Sequence, residues 1–92
     1  MDTRSDIYSL GATLFHMVTG RIPFPGQSRA DTIAKHLSDP APSARLVNCS
    51  IPPEVDAMIQ RMMAKAPEDR FQTPKDLYRE LEKIRRTLPP SL

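Results

Sequence analysis

Hydrophobic and polar positions alternate along this chain with helical periods and nowhere with the two-residue period of a strand, which predicts an all-α fold of about four helices. The first is expected over about 5–19, with Asp2, Thr3 or Ser5 available as a cap and Gly20 placed where a left-handed terminating residue is wanted. Ile7, Tyr8, Leu10, Ala12, Leu14, Phe15, Met17 and Val18 run nearly all the way round its wheel. A helix apolar on every side is normally buried on every side, so neighbours are expected around it.

Gly20-Arg21-Ile22-Pro23-Phe24-Pro25-Gly26 follows, a stretch that the prolines and glycines keep out of regular structure. Ser28 then caps a short helix over about 29–37, whose thin stripe joins Ile33 and Leu37 to Ala30 and Ala34. Asp39-Pro40-Ala41-Pro42-Ser43 ends it, and a loop is expected through Ser50. A third helix, about 53–65, opens at Pro52-Pro53, where missing amide hydrogens cost nothing, and repeats Val55, Met58, Ile59, Met62 and Met63 on one face. That methionine row reads as adaptable core packing rather than as a ligand groove. Pro67 stops this helix, and Thr73-Pro74-Lys75-Asp76 combines a capping threonine, a first-position proline and an acid at the third position. The fourth helix, about 74–87, is expected to bury Leu77, Leu81, Ile84 and Leu88 while its charges face water, Glu82 pairing with Arg86.

The 92 residues suffice for one small domain of marginal stability, and ten prolines are about twice the usual share. Thirteen basic against eleven acidic residues leave a net charge of +2, and the two signs alternate through the C-terminal third, which argues against nucleic acid. Cys49 is the single cysteine, so no internal disulfide forms, and the two histidines lie in different segments with no zinc spacing. Asn48-Cys49-Ser50 matches a glycosylation acceptor by chance, since the N-terminal residues do not resemble a secretory leader. The longest apolar stretch, Ile7 to Val18, is interrupted by Ser9, Thr13 and His16 and falls short of the roughly 20 residues that span a bilayer. A cytoplasmic chain with no metal and no membrane insertion is expected.

Two motifs carry a family likeness. Asp2-x-Arg4-Ser5-Asp6-Ile7-Tyr8-Ser9-Leu10-Gly11, followed by Thr19-Gly20-x-x-Pro23-Phe24, resembles the sixth-helix signature of eukaryotic-type serine/threonine protein kinases. Ala64-Lys65-Ala66-Pro67-Glu68-Asp69-Arg70-Phe71-Gln72-Thr73 resembles that family's loop before its last helix, at about the usual distance. Together they extend over nearly the whole chain, and the Tyr8-Ser9-Leu10-Gly11 style is most similar to bacterial members. The likeness implies the C-terminal helical part of a kinase large lobe, incomplete as a kinase fold.

The resemblance assigns roles by position. Asp6 matches a carboxylate that accepts hydrogen bonds from the catalytic-loop backbone, a strut rather than a catalyst; the plainer reading is a first-turn acid that favours its own helix. Gly11 matches a glycine that admits close approach of another segment despite a helix cost of about 1 kcal/mol. Arg70 matches an arginine that pairs with a buried glutamate at the end of the activation segment. The resemblance places that glutamate before residue 1, so within this chain Arg70 is expected to turn to Glu68 or Asp69 or to stay solvated. Two departures stand out: Ala66 replaces the usual acid before the loop proline, and His16 stands where many relatives carry a glutamate that contacts basic substrates. His16 is thus a candidate substrate-side position, although an ordinary, partly buried histidine is the plainer reading.

Phosphate transfer in this family needs a glycine-rich loop, a strand lysine paired with a helix glutamate, a catalytic aspartate with its asparagine, and an Asp-Phe-Gly metal site. None of these motifs occurs in the sequence. No catalytic, cofactor-binding or metal-binding residue is therefore expected, ATP and magnesium belonging to the parent domain. The leading expectation is a piece of a kinase inactive by itself, with the rest of the kinase domain as its partner over the first helix. The alternatives are a freestanding helical interaction module derived from such a lobe, docking through its first two helices, and an unrelated helical protein with a chance match.

Overall fold

The computed structural model describes residues 3–26 and 28–87. Its helices are α1 (Thr3–Thr19), α2 (Arg29–Ser38), α3 (Ala44–Val47), α4 (Pro53–Met62) and α5 (Pro74–Thr87), with a 3-10 turn at Pro67–Asp69. Among the described residues there is no strand, so the fold is all helical as the periodicity predicts. The molecule measures 42 × 28 × 15 Å. A helix with its side chains is about 10–12 Å across, so a slab this thin leaves most helices with a face in water.

Local chemistry explains the boundaries. The Gly20 amide bonds the His16 carbonyl at 2.8 Å, and its φ of 74° ends α1 in the left-handed region open to glycine. Ser28 Oγ accepts from the Asp31 amide at 3.1 Å and Thr73 Oγ1 from the Asp76 amide at 3.1 Å, two side-chain caps legible in sequence. Asp2 lies outside the described residues, and Thr3 and Ser5 are already inside α1.

The core sits on α4, between two clusters. Met58 and Met62 pack with Ile7, Phe71, Leu77 and Ile84, while Ile59 and Met63 pack with Phe15, Phe24, Ala44 and Ile51. The expected core face of this helix is therefore the floor of both clusters.

Several expectations are corrected. α1 is not enclosed: Ile7, Gly11 and Phe15, spaced four apart, form one buried line, whereas Leu10 and Met17 are exposed. α4, α3 and α5 pack along that line, and no described element covers Leu10 and Met17. α2 buries none of its residues, and Ile33 and Leu37 face water because no element lies beyond their stripe. Residues 44–47, expected as loop, form one helical turn that buries Ala44. α4 ends at Met62 rather than near 65, where the Ala64 amide bonds Arg61 and tightens the last turn well before Pro67. On α5, Leu77 and Ile84 are buried but Leu81 is exposed, and Glu82 pairs with Arg85 rather than Arg86. Leu88 lies outside the described residues.

Candidate functional site

The four positions marked in the sequence are distributed around α1 rather than gathered into a site. Asp6 is exposed in the first turn, and its carboxylate makes no hydrogen bond among the described residues. It shares its side of the helix with Leu10, Thr13 and Met17, at helical spacings of four, seven and eleven. That side is open: Met17 is 74% exposed, and a shallow groove bounded by Asp6, Leu10 and Pro74 runs beside it.

Gly11 points the other way, into α4. A Cβ there would stand 2.8 Å from Met62 Cβ and 2.9 Å from Met63 Cγ, closer than carbon atoms approach. The glycine is thus required by contact inside this chain, and its helix cost is offset by bringing α1 down onto the core. His16 is exposed rather than partly buried, on the rim of a groove of about 270 Å³ shared with Phe24, Thr32 and His36.

Arg70 is the position at which structure and expectation differ most. Its side chain neither reaches Glu68 or Asp69 nor remains solvated; it is 9% exposed. Nε donates to the Ala64 carbonyl at 2.7 Å, Nη1 to Arg4 at 3.2 Å and Nη2 to Lys65 at 3.3 Å. The guanidinium also lies 4.7 Å from the centre of the Tyr8 ring. Backbone oxygens curving round the turn before residue 70 offer nearer acceptors than the flanking acids, so the fork closes on carbonyls. No carboxylate pairs with it among the described residues. Three of five N–H donors are engaged, and the positive charge is spread over an aromatic face rather than neutralised.

Around Arg70 opens a cleft of about 300 Å³ lined by Ser5, Tyr8, Ser9, His36 and Lys65. Tyr8 Oη and His36 Nδ1 are 2.7 Å apart, and the His36 ring meets Tyr8 and Phe24 edge to face at 5.6 and 4.7 Å between centroids. Lys65 Nζ donates to the His36 carbonyl at 2.7 Å and sits 4.5 Å over the Phe24 ring. Burial, opposed by Arg70, raises the Tyr8 pKa above its ordinary value, so the hydroxyl keeps its proton in its contact with the imidazole. Burial and the Lys65 ammonium hold His36 below the usual histidine range. Burial chiefly, with Arg70 adding and Asp39 opposing, lowers Lys65 as well. Two cations, two ring dipoles and serine hydroxyls converge on one opening, the donor set that receives a carboxylate.

Sequence reasoning missed this cluster because Tyr8 and His36 are 28 residues apart and no motif links the two. It also missed Asp56, which is buried, accepts from Ser43 Oγ at 2.6 Å and the Ala44 amide at 2.8 Å, and so ties α3 to α4. A signal was present: Asp56 precedes Ile59 by three and Met63 by seven, which places an acid on the core face, where a partner is obligatory. No three His, Cys, Asp or Glu residues among those described converge to hold a metal ion, and no described helix is long and apolar enough to cross a membrane.

The described residues form a thin helical slab with one open helix face and a buried arginine that no described carboxylate pairs. Among the proteins the chain resembles are serine/threonine-protein kinases of bacteria. The chain is 42% identical over 79 residues to PrkC of Bacillus subtilis, covering 86% of this chain and 12% of that protein. To PknB of Mycobacterium tuberculosis it is 38% identical over 92 residues, covering 98% and 14%. To PksC of Streptomyces coelicolor it is 35% identical over 95 residues, covering 100% and 17%. The likeness of the two motifs to a kinase C-terminal lobe therefore extends over most of the chain, which spans less than a fifth of the length of these relatives. No protein-family model matches the chain.

Proposed function

We propose that this chain serves as the C-terminal helical part of a serine/threonine kinase catalytic domain, supporting phosphate transfer without performing it. The observation that carries this reading is Arg70: a buried guanidinium, held by carbonyls, beside a cleft and without a carboxylate among the described residues. Burying a cation is costly unless an anion accompanies it, so a carboxylate from outside residues 3–87 fits the cleft, matching the family's activation-segment glutamate. Asp6, on the open side with Leu10 and Met17, is then the support for a catalytic loop, and the open apolar side is where that loop packs. Gly11 contributes indirectly, by seating α1 on α4. ATP and magnesium act in the remainder of the parent domain, in the cytoplasm, and this segment binds neither.

The test of the Arg70 seat is a titration of the chain with a short capped peptide carrying one glutamate, against its glutamine twin, read by NMR at the Arg70 Nε–H. The glutamate peptide is expected to shift that resonance and the glutamine peptide to leave it unmoved; equal responses contradict the reading. The second reading, a freestanding interaction module, draws on the exposed Leu10 and Met17 of α1 and Ile33 and Leu37 of α2. Light scattering separates the two: reversible self-association abolished by Met17→Ser and Leu37→Ser favours the module.

A further inference from the structure

We propose that α2 is an acid-released flap, latched over the Tyr8–Arg70 cleft by neutral His36 and let go when that imidazole gains a proton, while α1, α4 and α5 remain folded. The inference does not depend on the kinase reading.

The first ground is how little holds α2. It buries no residue. Three polar bonds tie its C-terminal half to the body: Lys35 Nζ donates to the Pro25 carbonyl at 2.7 Å, His36 Nδ1 meets Tyr8 Oη at 2.7 Å, and the His36 carbonyl receives Lys65 Nζ at 2.7 Å. An element without buried apolar surface belongs at the low end of local opening energies, where a small change at one contact shifts its population. His36 is that contact, since its ring wedges between Tyr8 and Phe24 and its backbone takes the lysine.

The second ground is what surrounds the imidazole. Tyr8 comes from α1, Phe24 from the loop, and Lys65 and Arg70 from the segment between α4 and α5; His16 of α1 shares the adjoining groove, and α2 itself carries Arg29, Asp31 and Lys35, with Asp39 capping its end. Of the two acids, Asp31 pairs with Lys35 at 3.8 Å and Asp39 acts on Lys65. In the tautomer where Tyr8 donates, Nδ1 accepts and the hydrogen of the neutral ring sits on Nε2. A proton on Nδ1 reverses that bond and adds a third positive charge beside Lys65 and Arg70. The Phe24 face that could receive a cation is already occupied by Lys65. Protonation is thus favoured once α2 has lifted and His36 is in water.

The sign follows from the direction. In the seated flap the His36 pKa is lowered from its ordinary value, so the seated state binds fewer protons than the lifted one. Stabilisation of the flap is complete above the ordinary imidazole range near 6.5 and is lost as pH falls from there through the seated-state value. Because His36 walls both the Arg70 cleft and the His16 groove, release opens both to solvent.

Amide hydrogen exchange on the 92-residue chain, compared as protection factors at about pH 7.5 and about pH 5, tests this directly. Protection across α2 is expected to fall roughly three- to tenfold relative to α4 at the lower pH. His36→Gln, which keeps an acceptor for Tyr8 without a titrating group, is expected to abolish that fall, and His16→Gln to leave it intact. An α2-to-α4 ratio unchanged with pH, a parallel loss in both helices, or an undiminished response in His36→Gln each overturns the proposal.

Discussion

α2 and α4 are both ten residues long, and both carry apolar residues on one face, yet α4 buries four side chains and α2 buries none. Ile59 on α4 is 1% exposed and Ile33 on α2 is 51% exposed. The difference lies in their surroundings rather than in the helices: α4 is sandwiched between the Met58–Phe71 and Ile59–Phe15 clusters, whereas α2 rests on the edge through His36 and two lysines. A hydrophobic stripe states which face a helix would bury; only a neighbour decides whether it does.

The sharpest way to break this comparison is to truncate the same residue in both helices. Ile59→Ala is expected to cost about 2–5 kcal/mol by urea unfolding, enough to melt so small a domain. Ile33→Ala should stay within about 0.5 kcal/mol. Comparable losses would mean that α2 is part of the core. Gly11→Val comes next: its Cβ collides with Met62 and Met63, and overpacking of roughly 1–3 kcal/mol is expected, with α1 rather than α2 losing exchange protection. Asp56→Ala removes both bonds to α3 and strands a buried amide, for a loss of about 1–3 kcal/mol, while Ser43→Ala keeps the Ala44 contact and costs less. Smallest is Glu82→Gln. The hydrogen bond from Arg85 chiefly, with its charge, lowers the Glu82 pKa, but the pair lies at the surface with Arg85 open to water, so the melting midpoint should not move measurably.

What was legible in the sequence was what neighbours along the chain decide. The Ser28 and Thr73 caps, the left-handed Gly20, the core faces of α4 and α5 and the close packing at Gly11 all follow from local spacing or from a short motif. What was illegible depended on the third dimension. The full apolar wheel of α1 suggested enclosure, but Leu10 and Met17 are exposed, and no described element packs on their side. Arg70 turned to carbonyls because the bend at Pro67–Asp69 brings them within reach, a geometry no pattern of charges encodes. The Tyr8–His36 contact joins distant residues of ordinary type, and α3 is a single turn stabilised from a distance by Asp56.

The central claim is that this helical segment supports phosphate transfer from outside the nucleotide site. Calorimetric titration of the chain with magnesium-ATP, on a sample whose cooperative thermal melt has been followed by circular dichroism, tests it most directly. The account predicts no heat of binding and an unshifted melt; saturable heat with a raised melting temperature would contradict it.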